Sequence, residues 1–267
     1  MALSSYSGRP SSFFIFHSVR MICLSASDIY NYYRPSKCGG RVYLHHKGEA
    51  ESPPGPYEEV LQRLGERHER LHLESFKEYI DLSMGALDER EHKTKSEIYK
   101  KSPVIYQPLL RSRHIFDDTE CEIIGQPDFL ILDEGGYIIR DSKISLRITE
   151  EDHPEIFRQL QLYGWLYQRM FGQIPSRLEV HAGNNDIVDI PYDNGFSALG
   201  ILKKILDLKQ TPYETYNPVG WTKCNGCPFN QRCWPLAEKN LDVALVPGVD
   251  QELAIALHGE GIESIKS

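Results

Sequence analysis

The chain has 267 residues, 40% of them hydrophobic and 25% charged, the balance of a globular protein that buries a real core and not that of a disordered chain. A formal charge of -8 excludes a protein whose whole surface attracts nucleic acid, so any such contact must use a local groove. Six cysteines are too few and too unevenly spaced for a disulfide scaffold in a chain this long, which points to a reducing, cytoplasmic setting.

Residues 1–20 are Ser-rich, follow neither helical nor strand period, and are expected to form a disordered leader. Within it the run Phe13-Phe14-Ile15-Phe16 is too short to cross a bilayer, and no later segment approaches that length, so no membrane partner is expected. A fold opens at Met21 with a short helix capped by Ser25 or Ser27, followed by Cys38 and a Pro- and Gly-rich break over 52–56. The next helix is long. Tyr57, Leu61, Leu64 and Leu71 form its apolar stripe, and His68 shares that stripe, so its ring is expected to face the core.

After a charged stretch over 88–101 the pattern becomes that of strands, at 104–110, 121–132 and 137–145, read as a meander. A helix over 153–171 follows, opened by a capping box of Asp152 and Glu155. Strands at 177–181 and 187–190 and a helix over 196–208 complete a mixed α/β order without internal repeat. Arg111, Arg113, His114, Lys143, Arg147 and Arg158 are the cations available to line a groove.

The chemistry concentrates in one hairpin. Gly125-Gln126-Pro127-Asp128 leads into the apolar run 129–132, and the turn Asp133-Glu134-Gly135-Gly136 returns the chain through Tyr137 to Asp141-Ser142-Lys143. With Leu132 opposite Tyr137, counting outward sets Asp128 opposite Asp141, and strand alternation puts Lys143 on the face of Asp141. Two opposed carboxylates repel unless a cation lies between them. Hard oxygen ligands suit Mg²⁺ or Mn²⁺, and an imidazole such as His68 would complete the site. Lys143 beside such a cation is the chemistry of phosphodiester hydrolysis.

In sequence order, Gly65-x-x-His68, Gly125-x-x-Asp128, Asp141-x-Lys143 and Gln159-x-x-x-Tyr163 resemble the motifs of RecB-family nucleases of the PD-(D/E)xK superfamily. The resemblance implies a restriction-endonuclease-like mixed central sheet flanked by helices. It also implies that His68, Asp128, Asp141 and the carbonyl of Ser142 bind metal, that Lys143 is catalytic, and that Gln159 and Tyr163, one helical turn apart, contact the substrate strand. Simple helix packing is the other account of that last pair.

Cys224, Cys227 and Cys233 lie close enough in sequence to be ligands of one metal centre, and Cys38 is the best fourth, because Cys121 lies in a strand and Cys23 further from the 35–40 turn. Spacing alone admits Zn²⁺ or a [4Fe-4S] cluster. The layout of one early cysteine and a late C-x2-C-x5-C is similar to that of the iron-sulfur nucleases of the RecB type, the AddB subunit and the CRISPR-associated Cas-four exonuclease among them, which favours the cluster. The expected nuclease domain spans 21–240. Beyond it, 241–267 resembles a helix-hairpin-helix element, built on Leu245-Val246-Pro247-Gly248-Val249 followed by Ala254, Leu257, Gly259 and Gly261-Ile262 but with Asp250 where a second glycine would stand, so packing outweighs phosphate binding.

These readings converge on an expectation of a metal-dependent nuclease that hydrolyses DNA at single-stranded ends; the resemblance implies a 5′-to-3′ exonuclease, with DNA-repair or CRISPR spacer-acquisition proteins as partners. The rival is a non-catalytic DNA-binding or scaffold subunit of a larger nuclease or helicase complex. An RNA substrate ranks low, since no paired aromatic platform is evident.

Overall fold

The computed structural model describes residues 21–212, 214 and 216–266; the expected leader lies outside them. Strand β1 (Ile22–Ser25) runs into helix α1 (Ala26–Tyr33), where the Ser25 side chain accepts from the Asp28 amide and the Asp28 carboxylate accepts from the Ser25 amide. That reciprocal cap makes Ser25, not Ser27, the start of the helix. Helix α2 (Gly39–His46) begins at Cys38, whose sulfur accepts from the Arg41 amide.

Helix α3 (Pro56–Glu74) reverses its expected orientation. Tyr57, Leu61, Leu64 and Leu71 are exposed, and His72 is its one fully buried side chain. Histidines at positions 68 and 72, one turn apart, rest on the sheet instead, so a polar face docks the helix and the apolar stripe faces out.

After strand β2 (Ile80–Asp81), the charged stretch forms helix α4 (Leu87–Tyr99), supported by the Glu89–Lys93 and Glu91–Lys95 pairs at 2.7 and 2.5 Å. It docks through polar groups: Arg90 donates to the carbonyls of Leu82 and Gln107, and Thr94 accepts from the Leu109 amide.

The expected meander is divided between two sheets. The run at 104–110 splits into β3 (Val104–Tyr106) and the start of β4 (Leu110–Phe116), and that at 121–132 splits into β5 (Thr119–Gly125) and β6 (Phe129–Asp133). One sheet has the order β1-β5-β4. The other has β2-β3-β6-β7-β8-β9, where β7 is Gly136–Ser142, β8 is Arg177–His181 and β9 is Ile187–Asp189.

Proline causes both splits. Pro108 and Pro127 have no N–H for a ladder, and Gln107, just before Pro108, takes a left-handed φ of 51°. The two breaks lie side by side, bonded from the Gln107 amide to the Asp128 carbonyl at 2.7 Å.

Helix α5 (Pro154–Phe171) contacts β4 and β5 of one sheet and β7 and β8 of the other. Twelve of its residues are buried, as expected of a helix apolar on nearly every side. The predicted Asp152–Glu155 capping box does not form: His153 precedes the helix without a side-chain cap, and Glu155 turns inward to Arg34. Helix α6 (Phe196–Gln210) closes the main core, which runs from Leu24 to Leu206.

The expected boundary near residue 240 shifts. A second, small core joins Val219 and Ala237 of the cysteine segment to Ala244 and Ala254 of the tail, so helices α7 (Asn230–Asn240) and α8 (Gln251–Gly259) belong to one C-terminal unit. Asp250 caps α8, accepting from the Leu253 amide at 2.8 Å. Its carboxylate therefore takes the helix end where a phosphate would dock. Among the described residues no helix is long and apolar enough to cross a membrane.

Gly183, just after β8, lies over the segment that leaves β7. A Cβ there would stand 2.2 Å from the Ile144 carbonyl oxygen, next to Lys143. Backbone cannot yield as a side-chain tip does, so Gly183→Ala is expected to cost about 2 kcal/mol and lower the Tm by roughly 4–8 °C. A thermal melt checks this, and an unchanged Tm would contradict the close approach.

Candidate active site

Strands β6 and β7 pair with Leu132 opposite Tyr137 and Phe129 opposite Arg140. The turn is tighter than expected, since Asp133 also pairs with Gly136, leaving Glu134-Gly135 as the loop. Continued outward, the same register brings Asp128 opposite Asp141. The proline break releases Asp128 from the ladder while cross-bonds hold it: its amide donates to Asp141 Oδ1 at 3.1 Å, and the Ser142 amide donates to Asp128 Oδ2 at 2.7 Å.

Lys143 Nζ completes the group 2.8 Å from Asp141 Oδ2. The Asp141 side chain is 3% exposed and that of Lys143 29%. Asp128 keeps part of its surface open to a cleft, yet protein surrounds it closely enough that burial, and then the Asp141 charge, push its carboxyl well above the ordinary value. Burial pulls the Lys143 ammonium down, but Asp141 and Asp128 outweigh it and raise its pKa overall. The lysine therefore stays charged.

The cleft has a volume of about 660 Å³, with Asp128, Ser142 and Lys143 on one side and Gly65 and Glu69 of α3 among its other lining residues. His68 is not among them. Its Nε2 lies 3.2 Å from the His181 carbonyl and its ring stacks on that of His181 at 4.7 Å. The reason is helical phase: the next residue is turned by about 100°, so seating His68 and His72 on β7 and β8 sends Glu69 toward the carboxylates.

Glu69 is fixed by Tyr106 Oη at 2.7 Å and Gln107 Nε2 at 2.8 Å, and its charge adds to the upward push on Asp128. The one-turn spacing of Gly65 and Glu69 is the signal in the sequence that places Glu69 on the face of the motif glycine. His72, one turn beyond His68, is a second site residue that the motifs do not mark. It meets Ser142 Oγ at 2.9 Å, and burial, followed by the nearby His181 and Arg140, lowers its pKa to about 3.

The expected substrate pair does not line the cleft. Gln159 is 7% exposed and donates to the Ala26 carbonyl at 3.1 Å, and Tyr163 is 5% exposed and packs over Gly125. In this arrangement both serve packing, because α5 is enclosed by α1 and the two sheets. Tyr163 still senses the site: burial and then the charges of Asp141 and Asp128 push its phenol well up.

Nor do the expected cations gather into a groove. Arg111 is held by Asp88 and Glu91, Arg113 lies near Glu120, Arg158 pairs with Glu150, and His114 packs on Phe116 and Trp165. Arg147 is exposed, and only Lys143 of the six lines the cleft. Carboxylate partners hold Arg111, Arg113 and Arg158 away from it.

The four cysteines come together. Cys38, Cys224, Cys227 and Cys233 line one small cavity, all as free thiols. Backbone amides point at two of the sulfurs, from Arg41 to Cys38 at 3.4 Å and from Gly220 to Cys224 at 3.3 Å. Burial and then the neighbouring thiols push the Cys233 thiol up to about 12. The segments that carry these cysteines also meet through protein contacts, from the Gly40 amide to Asn217 Oδ1 at 3.0 Å and from the Ser52 amide to the Pro228 carbonyl at 2.9 Å.

An all-sulfur donor set with amides aimed at the sulfurs fits a thiolate-bound metal centre, and facing carboxylates fit a hard divalent ion. As the side chains stand, no group of three or more His, Cys, Asp or Glu among the described residues is arranged to hold an ion.

No family model matches the chain, and no curated protein matches it. It is similar in part to a solved structure titled "Crystal structure of SSO0001", at 16% identity and a TM-score of 0.33, over 65% of this chain and 95% of that one.

Proposed function

We propose that the chain is a divalent-metal-dependent deoxyribonuclease of the PD-(D/E)xK type. Asp128 and Asp141 hold Mg²⁺ or Mn²⁺ and Lys143 acts beside them. What carries this reading is the pair of facing carboxylates, one of them pushed well above its ordinary pKa, next to a charged lysine at an open cleft. A pure scaffold gains nothing from that repulsion.

A bound divalent cation would supply Lewis acidity toward the attacked phosphoryl group. The chain's own residues do the rest. Asp141 orients the Lys143 ammonium, which can position the nucleophile and offset charge on the phosphate. The Ser142 amide and the Gln107–Asp128 backbone bond hold the Asp128 side chain and main chain in place.

Single-stranded DNA ends, 5′-to-3′ polarity, and work with repair or CRISPR adaptation proteins are supported by the motif resemblance. A [4Fe-4S] cluster on Cys38, Cys224, Cys227 and Cys233, with structural Zn²⁺ as the alternative, would tie the two ends of the chain together.

Asp141→Ala and Lys143→Ala are each expected to cut cleavage of end-labelled single-stranded DNA in Mn²⁺ by about a hundredfold or more while leaving the far-ultraviolet dichroism unchanged. Activity at the wild-type level in either variant sinks the assignment. Asp128→Asn keeps an oxygen for the Ser142 amide but removes one of the facing charges. In metal-free buffer it is therefore expected to gain roughly 1 kcal/mol, or about 2–4 °C in Tm. Mn²⁺ should then stabilise the wild type and not the variant; an equal Mn²⁺ shift in both would place the ion elsewhere.

For the thiols, anaerobically purified protein is expected to be brown and to contain iron and sulfide, and Cys38→Ser to lose both and melt earlier. Stoichiometric zinc without iron would reject the cluster.

A further inference from the structure

The cleft has a second set of polar lining residues that the carboxylates and Lys143 leave unused. Arg34 ends α1 and His153 precedes α5, and both line the cleft together with Glu155. Arg34 donates from Nε at 2.8 Å and from Nη2 at 2.6 Å to one oxygen, Oε1 of Glu155. Nη2 also reaches the Asp152 carbonyl at 2.9 Å and His153 Nδ1 at 2.8 Å. The Glu155 side chain is 3% exposed, and its Oε2 has no partner.

These contacts lock the plane of the guanidinium and leave its Nη1 edge without a partner among the described residues. His153 Nδ1 lies 2.8 Å from Nη2 and 3.1 Å from Glu155 Oε1, which fixes the ring beside the guanidinium. Arg34 Nη1 and His153 Nε2, which have no partner among the described residues, are then left for a ligand. Among the residues lining the cleft, Arg34 and Lys143 alone carry a permanent positive charge. Planar, oriented donors of this kind match phosphate oxygens. Tyr30, 49% exposed in the same cleft, offers a ring for an unstacked base.

We propose that Arg34 and His153 hold a backbone phosphate of a single strand, near the phosphodiester that is cleaved at Asp128, Asp141 and Lys143. The proposal rests on the nuclease reading above. Glu155 acts as a positioning residue that presents the guanidinium and balances its charge before the strand arrives.

The test is fluorescence-anisotropy binding of a labelled dT oligonucleotide in Ca²⁺ across a salt series, together with a cleavage assay in Mn²⁺. Arg34→Gln alone would strand a buried carboxylate and risk unfolding, so Arg34→Gln/Glu155→Gln, which removes both charges, is the informative variant; melting curves confirm its fold. It is expected to bind several-fold more weakly and to lose about one unit of slope in log K against log salt. Glu155→Gln, by contrast, should bind at least as tightly as wild type, a sign that loss of packing would not produce.

The weakening should be the same for 5′-hydroxyl and 5′-phosphorylated strands. An effect confined to the phosphorylated strand overturns the backbone assignment. Wild-type affinity and slope in the double variant overturn the subsite and leave the nuclease reading standing. A wild-type chain that binds the strand but cleaves none of it defeats the nuclease reading and leaves the subsite standing.

Discussion

The arrangement depends on two like charges forced to face each other. Asp128 and Asp141 sit in one register across a strand pair, with Asp141 almost fully buried and the Asp128 carboxyl pushed well up by its surroundings and by its partner. Such a pair persists only because neighbouring bonds hold it: the Ser142 and Asp128 amides each donate across the gap, and Lys143 neutralises one of the charges. The strain is local and the support comes from the sheet.

The sheet is in turn shaped by where prolines interrupt it. Had β5 and β6 been one strand, Asp128 would be an ordinary ladder residue. Pro127 ends the ladder, and Pro108 ends the neighbouring one at the same level, so the chain passes between two sheets and leaves an opening at the carboxylates. Helix α5 fills the space between the sheets with apolar side chains, which is why its Gln159 and Tyr163 are packed inside instead of lining the cleft. A rigid apolar helix under a charged hairpin holds the site without exposing its own polar groups.

The C-terminal unit has a different physics. Its own core contains few large side chains, and the four thiols lie beside it. With so little apolar burial, a segment of this kind gains much from cross-links. The bonds from Gly40 to Asn217 and from Ser52 to Pro228 already join front to back, and the proposed metal centre would reinforce the same junction.

Local pattern in the sequence determined a good deal. The register of the β6–β7 hairpin followed from counting, because a tight turn and alternating side chains leave one consistent pairing. Strand β8 and the body of α5 followed from their apolar period, and the grouping of Cys38 with the three late cysteines followed from spacing and elimination. What local pattern could not carry was decided by tertiary packing. The phase of α3 is set by its histidines, which dock on β7 and β8 while its apolar stripe stays exposed, and this turns Glu69 and not His68 toward the cleft. Helix α4 has no apolar period and exists through salt bridges and two buried polar anchors. Arg34 and Glu155, 121 residues apart, meet only once α1 packs on α5. Period and spacing report what a segment prefers by itself, whereas which face is buried and which charges are paired depends on neighbours that only the folded chain supplies.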